Sequence, residues 1–439
     1  MSERRKILDL FEEQKDLWEA RVASGIEQHR KGDGWIKLVD QNGKPLSGVK
    51  VKLTQKSHQF RFGANIFMLD ELETDEKNEA YKKAFADVFN MATLPFYWDT
   101  LEPERGKPRY AKDSPKVYRR PAPDLCIEYC EENGITPKLH CLVYDHFRPK
   151  WMDGLSSEEM LALYEKRFSE IAERYTGKFF ELEVINEQFL VNRLKTEFLR
   201  TPTAVKDMFA LARKHFPKEK LTINEGNPMM DVANNLWYGR YYLQCESLLA
   251  QGVSIDRIGM QHHLFVGTGV EMDCDYDGDI RAYTYFSDPM MFYRALDRMG
   301  SLGKPLEITE VTIPTFGKTE EDEQLQADML RMWYSVWFSH PAVDCVVYWN
   351  TVEGMAYDIP GWHENTGRGG LWHRDMTPKK SALTLKKLFN EEWHTDLELT
   401  TDENGYVTFR GFYGDYSADI DGSKYEFGIH KDNDNTYLL

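Results

Sequence analysis

Cysteine is scarce in this chain, with six in 439 residues. Cys126, Cys130, Cys141, Cys245, Cys274 and Cys345 follow none of the paired spacings of a zinc site. They read as free thiols of a reducing compartment, with Cys126 and Cys130, four apart, on one helix face. Long apolar runs are missing too. No stretch of 18 apolar residues occurs, so no membrane-spanning helix is expected. The N-terminal MSERRKILDLFEEQKDLWEARVASGIEQHRKGDG contains basic residues but no apolar core of a secretory signal, which predicts a cytoplasmic location. Positive charge is in deficit, with 55 Lys and Arg against 72 Asp and Glu, a net charge of -17. Such a field repels polyanions, so neither nucleic acid nor an anionic membrane is expected as a partner. No G-x-G-x-x-G follows the first strand, which weighs against a doubly wound dinucleotide-binding sheet.

What is present is a chain long enough for a large core and rich in aromatic residues: 11 Trp, 23 Tyr and 24 Phe. Most belong in the core, and a sugar-binding cleft would also use them. Residues 1–32 predict an amphipathic helix. Ile7, Leu10, Phe11, Leu17, Trp18 and Ile26 share a face that packs on its own domain, and KGDG at 31–34 ends it. WIKLV and VKVKLT then alternate like half-buried strands around DQNGKPLSG, and the same texture returns after residue 393. Each fragment is too small to hold a core alone. Residues 33–59 plus 393–439 are therefore expected to pair as one β-sandwich drawn from both termini.

Between them, over 60–392, eight apolar runs alternate with helical segments. They lie at 60–67, 87–94, 137–144, 179–187, 220–226, 256–265, 305–313 and 344–352. This pattern predicts an α/β fold, a (β/α)8 TIM barrel. Active sites of such barrels lie where the strands end. Three runs end on a glutamate: VINE at 184–187, TINE at 222–225 and ITE at 308–310. Two carboxylates facing each other can cleave a glycosidic bond, one as acid/base and the other as nucleophile.

The ordered set EVINE, GMQHHL, LEITE and VVYWNTVEG, with FYWDTLEPERGKPRY, KLHCLVYDH and MTPKKSA, resembles glycoside hydrolase family 10, the retaining endo-β-1,4-xylanases, over about 57–390. The resemblance implies Glu187 as acid/base and Glu310 as nucleophile. It implies Asn186 on the sugar 2-hydroxyl, His263 and Gln261 beside Glu310, His140 against the sugar, and Trp349 as an aromatic floor. Asn224 belongs to the site on this reading, while Glu225 is a structural echo of the catalytic glutamate.

Several positions depart from the family pattern. Leu94 and Tyr97 stand where the family has a sugar-binding Asn and Lys. Tyr144 stands for a Trp, Asp145 for a second His, Thr312 for an Asp after the nucleophile, and Tyr357 for a Trp. Tyr97, Tyr144, Asp145 and Tyr357 therefore join the expected substrate contacts, with Trp362 a second stacking candidate. The resemblance implies a retaining hydrolase of β-linked oligo- or polysaccharide, endo-1,4-β-xylanase-like, with β-1,4-xylan fragments the default substrate. The rebuilt pocket leaves a different or substituted β-glycoside as the alternative.

No cofactor is called for. QHH at 261–263 lacks the companions of a metal site, and His262 is expected to point into the barrel wall. The competing readings are a carbohydrate-binding protein without turnover and a metal-assisted barrel hydrolase. The sequence does not choose between monomer and homodimer.

Overall fold

The structure, a computed structural model, describes residues 3–189, 194–265, 280–357, 364–365 and 367–439. Its centre is a closed barrel of eight parallel strands. Two terminal strands, β1 (Lys31–Lys37) and β2 (Lys50–Gln55), precede it. The barrel strands are β3 (Arg61–Asn65), β4 (Met91–Pro95), β5 (Thr136–His140) and β6 (Glu181–Asn186), then β7 (Lys220–Glu225), β8 (Arg257–His263), β9 (Leu306–Thr312) and β10 (Val343–Tyr348). They pair in chain order, and β10 returns to β3 to close the ring. Every residue of β8 and β9 is buried. That is why these strands read as continuous apolar runs: side chains of one parity fill the barrel and those of the other meet the helices.

The predicted strands and observed ones agree in order and number, and differ at both their starts and their ends. The third and eighth stop at His140 and Tyr348, not at 144 and 352. The second begins at Met91, not at 87, because the helix Asp75–Ala86 runs on to its cap at Asp87. The long predicted helices are present. Ser157–Tyr175 and Glu320–Ser339 each open with a capping box, Ser156 with Glu159 and Thr319 with Asp322.

Both chain ends join in a second layer. One sheet has the order β12 (Tyr406–Phe412), β1, β15 (Thr436–Leu438). The other has β11 (Asp396–Thr400), β2, β13 (Gly414–Ile420), β14 (Ser423–Ile429). Ile36, Leu53, Val407, Phe409, Tyr416 and Phe427 form a core between them, separate from that of the barrel.

KGDG was expected to end the first helix as a loop. The helix Lys15–His29 does stop there, but KGDG is itself the start of β1. Its glycines serve close packing: a Cβ on Gly32 would lie 2.5 Å from the Tyr413 ring, and one on Gly34 2.8 Å from Phe409. Ile7, Phe11 and Trp18 are buried as expected, but Leu17 is 58% exposed and leaves the predicted apolar face. The chain before Lys15 is a short 3-10 segment and a separate helical turn, so the helical phase breaks before that residue. Cys126, Cys130, Cys141, Cys245 and Cys345 are buried free thiols; Cys274 lies outside the described residues.

Candidate active site

The strands converge on a pocket of about 330 Å³ at their C-terminal ends. Glu187 follows β6 and Glu310 lies on β9, and both line it. Glu187 has φ of 52°, in the left-handed region. That conformation costs a non-glycine residue roughly 1–3 kcal/mol and concentrates at functional sites. Its N–H donates to the Asn224 carbonyl at 3.1 Å, which ties the turn to β7.

One side chain ties the two acids together. Gln261 Nε2 lies 3.0 Å from Glu187 Oε1 and 2.9 Å from Glu310 Oε1, and it also reaches Asn186 Oδ1 at 3.2 Å. Asn224 Nδ2 donates to Asn186 Oδ1 at 2.9 Å and to Glu310 Oε1 at 3.2 Å. The Thr309 hydroxyl donates to Asn224 Oδ1 at 2.6 Å. Asn224 reaches inward because Gly259 has no side chain: a Cβ there would lie 2.7 Å from Asn224 Oδ1. Asn224 thus holds the acids from beneath and is not among the residues that line the pocket.

His263 holds the other oxygen of Glu310, with Nε2 3.2 Å from Oε2. Its Nδ1 lies 2.9 Å from the Thr312 hydroxyl. Burial pushes the His263 pKa down to about 4, so the imidazole is neutral near pH 7. With Thr312 donating to Nδ1, the ring hydrogen sits on Nε2 and points at the carboxylate. Burial, reinforced by Glu183, Glu187 and Glu364 and opposed by His140, raises Glu310 well above the ordinary carboxylate range.

His140 bridges Glu183 Oε2 (2.9 Å from Nδ1) and the Tyr97 hydroxyl (2.9 Å from Nε2). Burial opposes charge on this imidazole, but Glu183 outweighs it and the pKa is raised. His140, Glu183 and Glu310 place one potential ligand atom each within 4.8 Å of one another, the geometry that could hold a cation among the described residues. Both His140 nitrogens already meet protein groups.

Tyr144 donates to Glu187 Oε2 at 2.6 Å, so the tyrosine in the family's Trp position contacts the expected acid/base directly. Trp349 packs edge-on against Phe67 and His140, with ring centres at 5.1 and 5.3 Å, and lines the pocket with Tyr97 and Tyr357.

Asp145 departs from its expected place. It is 2% exposed and does not line the pocket. Its carboxylate accepts from the N–H groups of Lys195 and Thr196 and from the Thr196 hydroxyl, at 2.5 Å for the last, and so clamps the loop that follows β6. Glu225 is also occupied, accepting from Phe189 N at 2.8 Å and Gly226 N at 2.9 Å, and burial raises its pKa to about 8. His262 turns away from the pocket, against Trp333 and Phe292. Trp362 lies outside the described residues.

Eight pocket residues went unread in the sequence: the apolar Phe67, Phe147, Gly226 and Phe265, and four polar ones. Arg119 and Arg120 arrive from the loop before the helix Pro123–Asn133, and Glu364 from the loop after β10. Asn227 clamps the end of β8, donating to the His263 carbonyl at 3.1 Å and accepting from its N–H at 2.7 Å. The available signal for the first pair was YRRPAP, a cationic doublet in an acidic chain.

Comparison with known proteins bears on the family and the fold. An anti-sigma-I factor, RsgI6, from Acetivibrio thermocellus is 26% identical over 92% of this chain and 46% of its own length. Endo-1,4-beta-xylanase 2 of Arabidopsis thaliana is 25% identical over 92% of this chain and 34% of its own. The chain thus spans half or less of these curated relatives. Endo-1,4-beta-xylanase B of Thermotoga neapolitana is 24% identical over 76% of this chain and 88% of its own. Among solved structures, xylanase 10B from Thermotoga petrophila RKU-1 in complex with xylobiose superposes with a TM-score of 0.59 at 22% identity, over 76% of this chain and 95% of that one, a likeness of fold. The family model for glycosyl hydrolase family 10 matches residues 53–387, and the chain belongs to that family.

Proposed function

We propose that this chain is a retaining glycoside hydrolase of β-linked, xylan-like oligo- or polysaccharides, working by double displacement. The observation that carries this reading is the shared contact of Gln261. One amide nitrogen that bonds both Glu187 and Glu310, at 3.0 and 2.9 Å, keeps their two Oε1 atoms no farther apart than the sum of those contacts, a spacing that supports the close, retaining arrangement. Retaining enzymes separate their two carboxyl groups by about 5–5.5 Å, whereas a water-spaced inverting pair needs roughly 6.5–9.5 Å.

Glu310 attacks the anomeric carbon and forms a glycosyl-enzyme while Glu187 protonates the departing oxygen. Glu187 then takes a proton from water, which releases the sugar. Glu310 is oriented on one oxygen by Gln261 and Asn224 and on the other by His263. Tyr144 fixes Glu187 through its Oε2. Asn186 Oδ1 is held by Gln261 and Asn224, which turns its amide NH2 away from those donors and toward a sugar hydroxyl. Trp349 supplies the apolar face on which a sugar ring rests.

The test is product analysis by NMR on β-linked xylo-oligosaccharides and a panel of other β-linked and substituted oligosaccharides. The expected first product is the β-anomer, with turnover abolished in Glu310→Ala. An α-anomer as first product overturns the retaining mechanism. A second reading, carbohydrate recognition without turnover, draws on the match along most of the chain to a protein named for sigma-factor control. Saturable binding with no cleavage of any member of the panel would establish it.

A further inference from the structure

Arg120 is 6% exposed and lines the pocket, yet no carboxylate of the described residues lies within salt-bridge distance of it. Its Nη1 donates to the Arg119 carbonyl at 2.9 Å, and its Nε is buried without a hydrogen-bond partner. The guanidinium is boxed by rings. It sits 4.1 Å from the centre of Tyr97 and within 5.3–5.7 Å of Phe67, Phe147 and Tyr357. Asp99 and Glu364 are the nearest acids to influence it, both at longer range. Its neighbour Arg119 is engaged structurally, through Asn350 Oδ1 at 2.8 Å and the Met355 carbonyl, and Asn350 passes on to Glu364 at 2.7 Å.

A buried cation with open donors is costly unless something brings it a negative charge. The planar guanidinium fork matches an oxyanion in two-point fashion, and flanking rings remove competing water. The position has a further meaning. Tyr97 stands where the resemblance places a sugar-binding lysine, and its ring now carries Arg120. A flexible amine suited to neutral hydroxyls has been exchanged for a fixed, delocalised cation delivered from another loop.

We infer that Arg120 is an anion receptor within the sugar site, and that the preferred substrate is a β-linked saccharide bearing an oxyanion, a hexuronic carboxylate or a sulfate ester, on the sugar bound beside Tyr97. The inference takes the sugar's placement from the hydrolase reading and adds the chemical class of its substituent. The protein's overall negative charge repels such a substrate at long range, so the selectivity is made locally, at this guanidinium.

The experiment compares kcat/KM for three matched oligosaccharides: one with a hexuronic acid, its carboxyl-reduced neutral counterpart, and a sulfated counterpart. Wild type is expected to favour one of the charged forms over the neutral one by tenfold or more, and which form it favours separates carboxylate from sulfate. Arg120→Met should bring the ratio near one, and Arg120→Lys should keep part of it. Melting curves accompany both. If neither variant folds, the wild-type ratio alone decides. Equal or better use of the neutral sugar by wild type overturns the inference, as does a preference that survives in Arg120→Met.

A calorimetric arm with Glu310→Gln reads binding without turnover, so a protein that cleaves nothing can still support the receptor by binding the charged sugar tenfold more tightly than the neutral one. Equal binding there also overturns it.

Discussion

The two ends of one barrel treat buried charge in opposite ways. Where the strands begin, Arg61 meets Glu181 at 2.8 Å and both Glu307 and Asp344 at 3.0 Å. Lys138 meets Glu181 at 2.7 Å and Glu307 at 2.6 Å, and Arg257 meets the same two acids at 3.0 and 3.1 Å. Burial and the neighbouring Glu307 raise Glu181, while Glu307, which burial would also raise, is held well below the ordinary range by Lys138, Arg257 and Arg61, so this end shares its charge between paired groups. Where the strands end, Glu310 is raised, and Arg120 has no acid in contact among the described residues. Closed charge lattices hold strands in register. Open charges are left for a substrate to complete, which is the division of labour expected between the two faces of such a barrel.

Substitutions at matched depth test this contrast. Glu310→Ala should lower kcat on the order of 10⁴-fold or more while changing the melting temperature little, since it removes a nucleophile whose buried carboxyl is hydrogen-bonded but faces no Lys or Arg among the described residues. A steady-state assay with thermal melting reads both. At the other end, Glu307→Ala leaves three cations short of an anion and should cost about 3–5 kcal/mol of stability in denaturant titration. The folded fraction should retain near-normal kcat. If Glu307→Ala proved as stable as wild type, the lattice would not be the staple described.

Smaller effects refine the upper end. Tyr144→Phe removes the donor to Glu187 and should reduce kcat by about tenfold, with KM little changed. The acid limb of kcat/KM should fall at a pH above the ordinary carboxylate value of 4.5, because Glu310 must be ionised to attack and its pKa is raised. As the pH drops through that raised value, the nucleophile is lost. A limb at or below 4.5 would contradict the burial argument. Thr312→Val removes the hydroxyl partner of His263 and should cost a few-fold in kcat/KM, about 1 kcal/mol.

The barrel and its glutamates were legible because their signals are local. Strands buried on both faces are continuous apolar runs, and a strand that ends at the mouth of a barrel brings its last residues near that mouth. That Glu187 and not Glu225 lines the pocket was also readable, though from motif context and not from spacing. Asp145 misled because it stands where the family has a second His, beside Tyr144, which does face the pocket. One residue further on, the chain enters a 3-10 turn that aims the carboxylate at Thr196, 51 residues away.

The sequence by itself determined the eight-strand alternation, the β-module assembled from both ends, and a pair of acids at strand ends, since each depends on periodicity or on residues adjacent in the chain. Only the tertiary structure decided which charges are paired. Arg61 finds Glu307 across 246 positions, while Arg120 finds the Tyr97 ring and, among the described residues, no acid. Pairing is a property of distances in space, and loops that converge on one pocket from different strands leave no period in the sequence to reveal it.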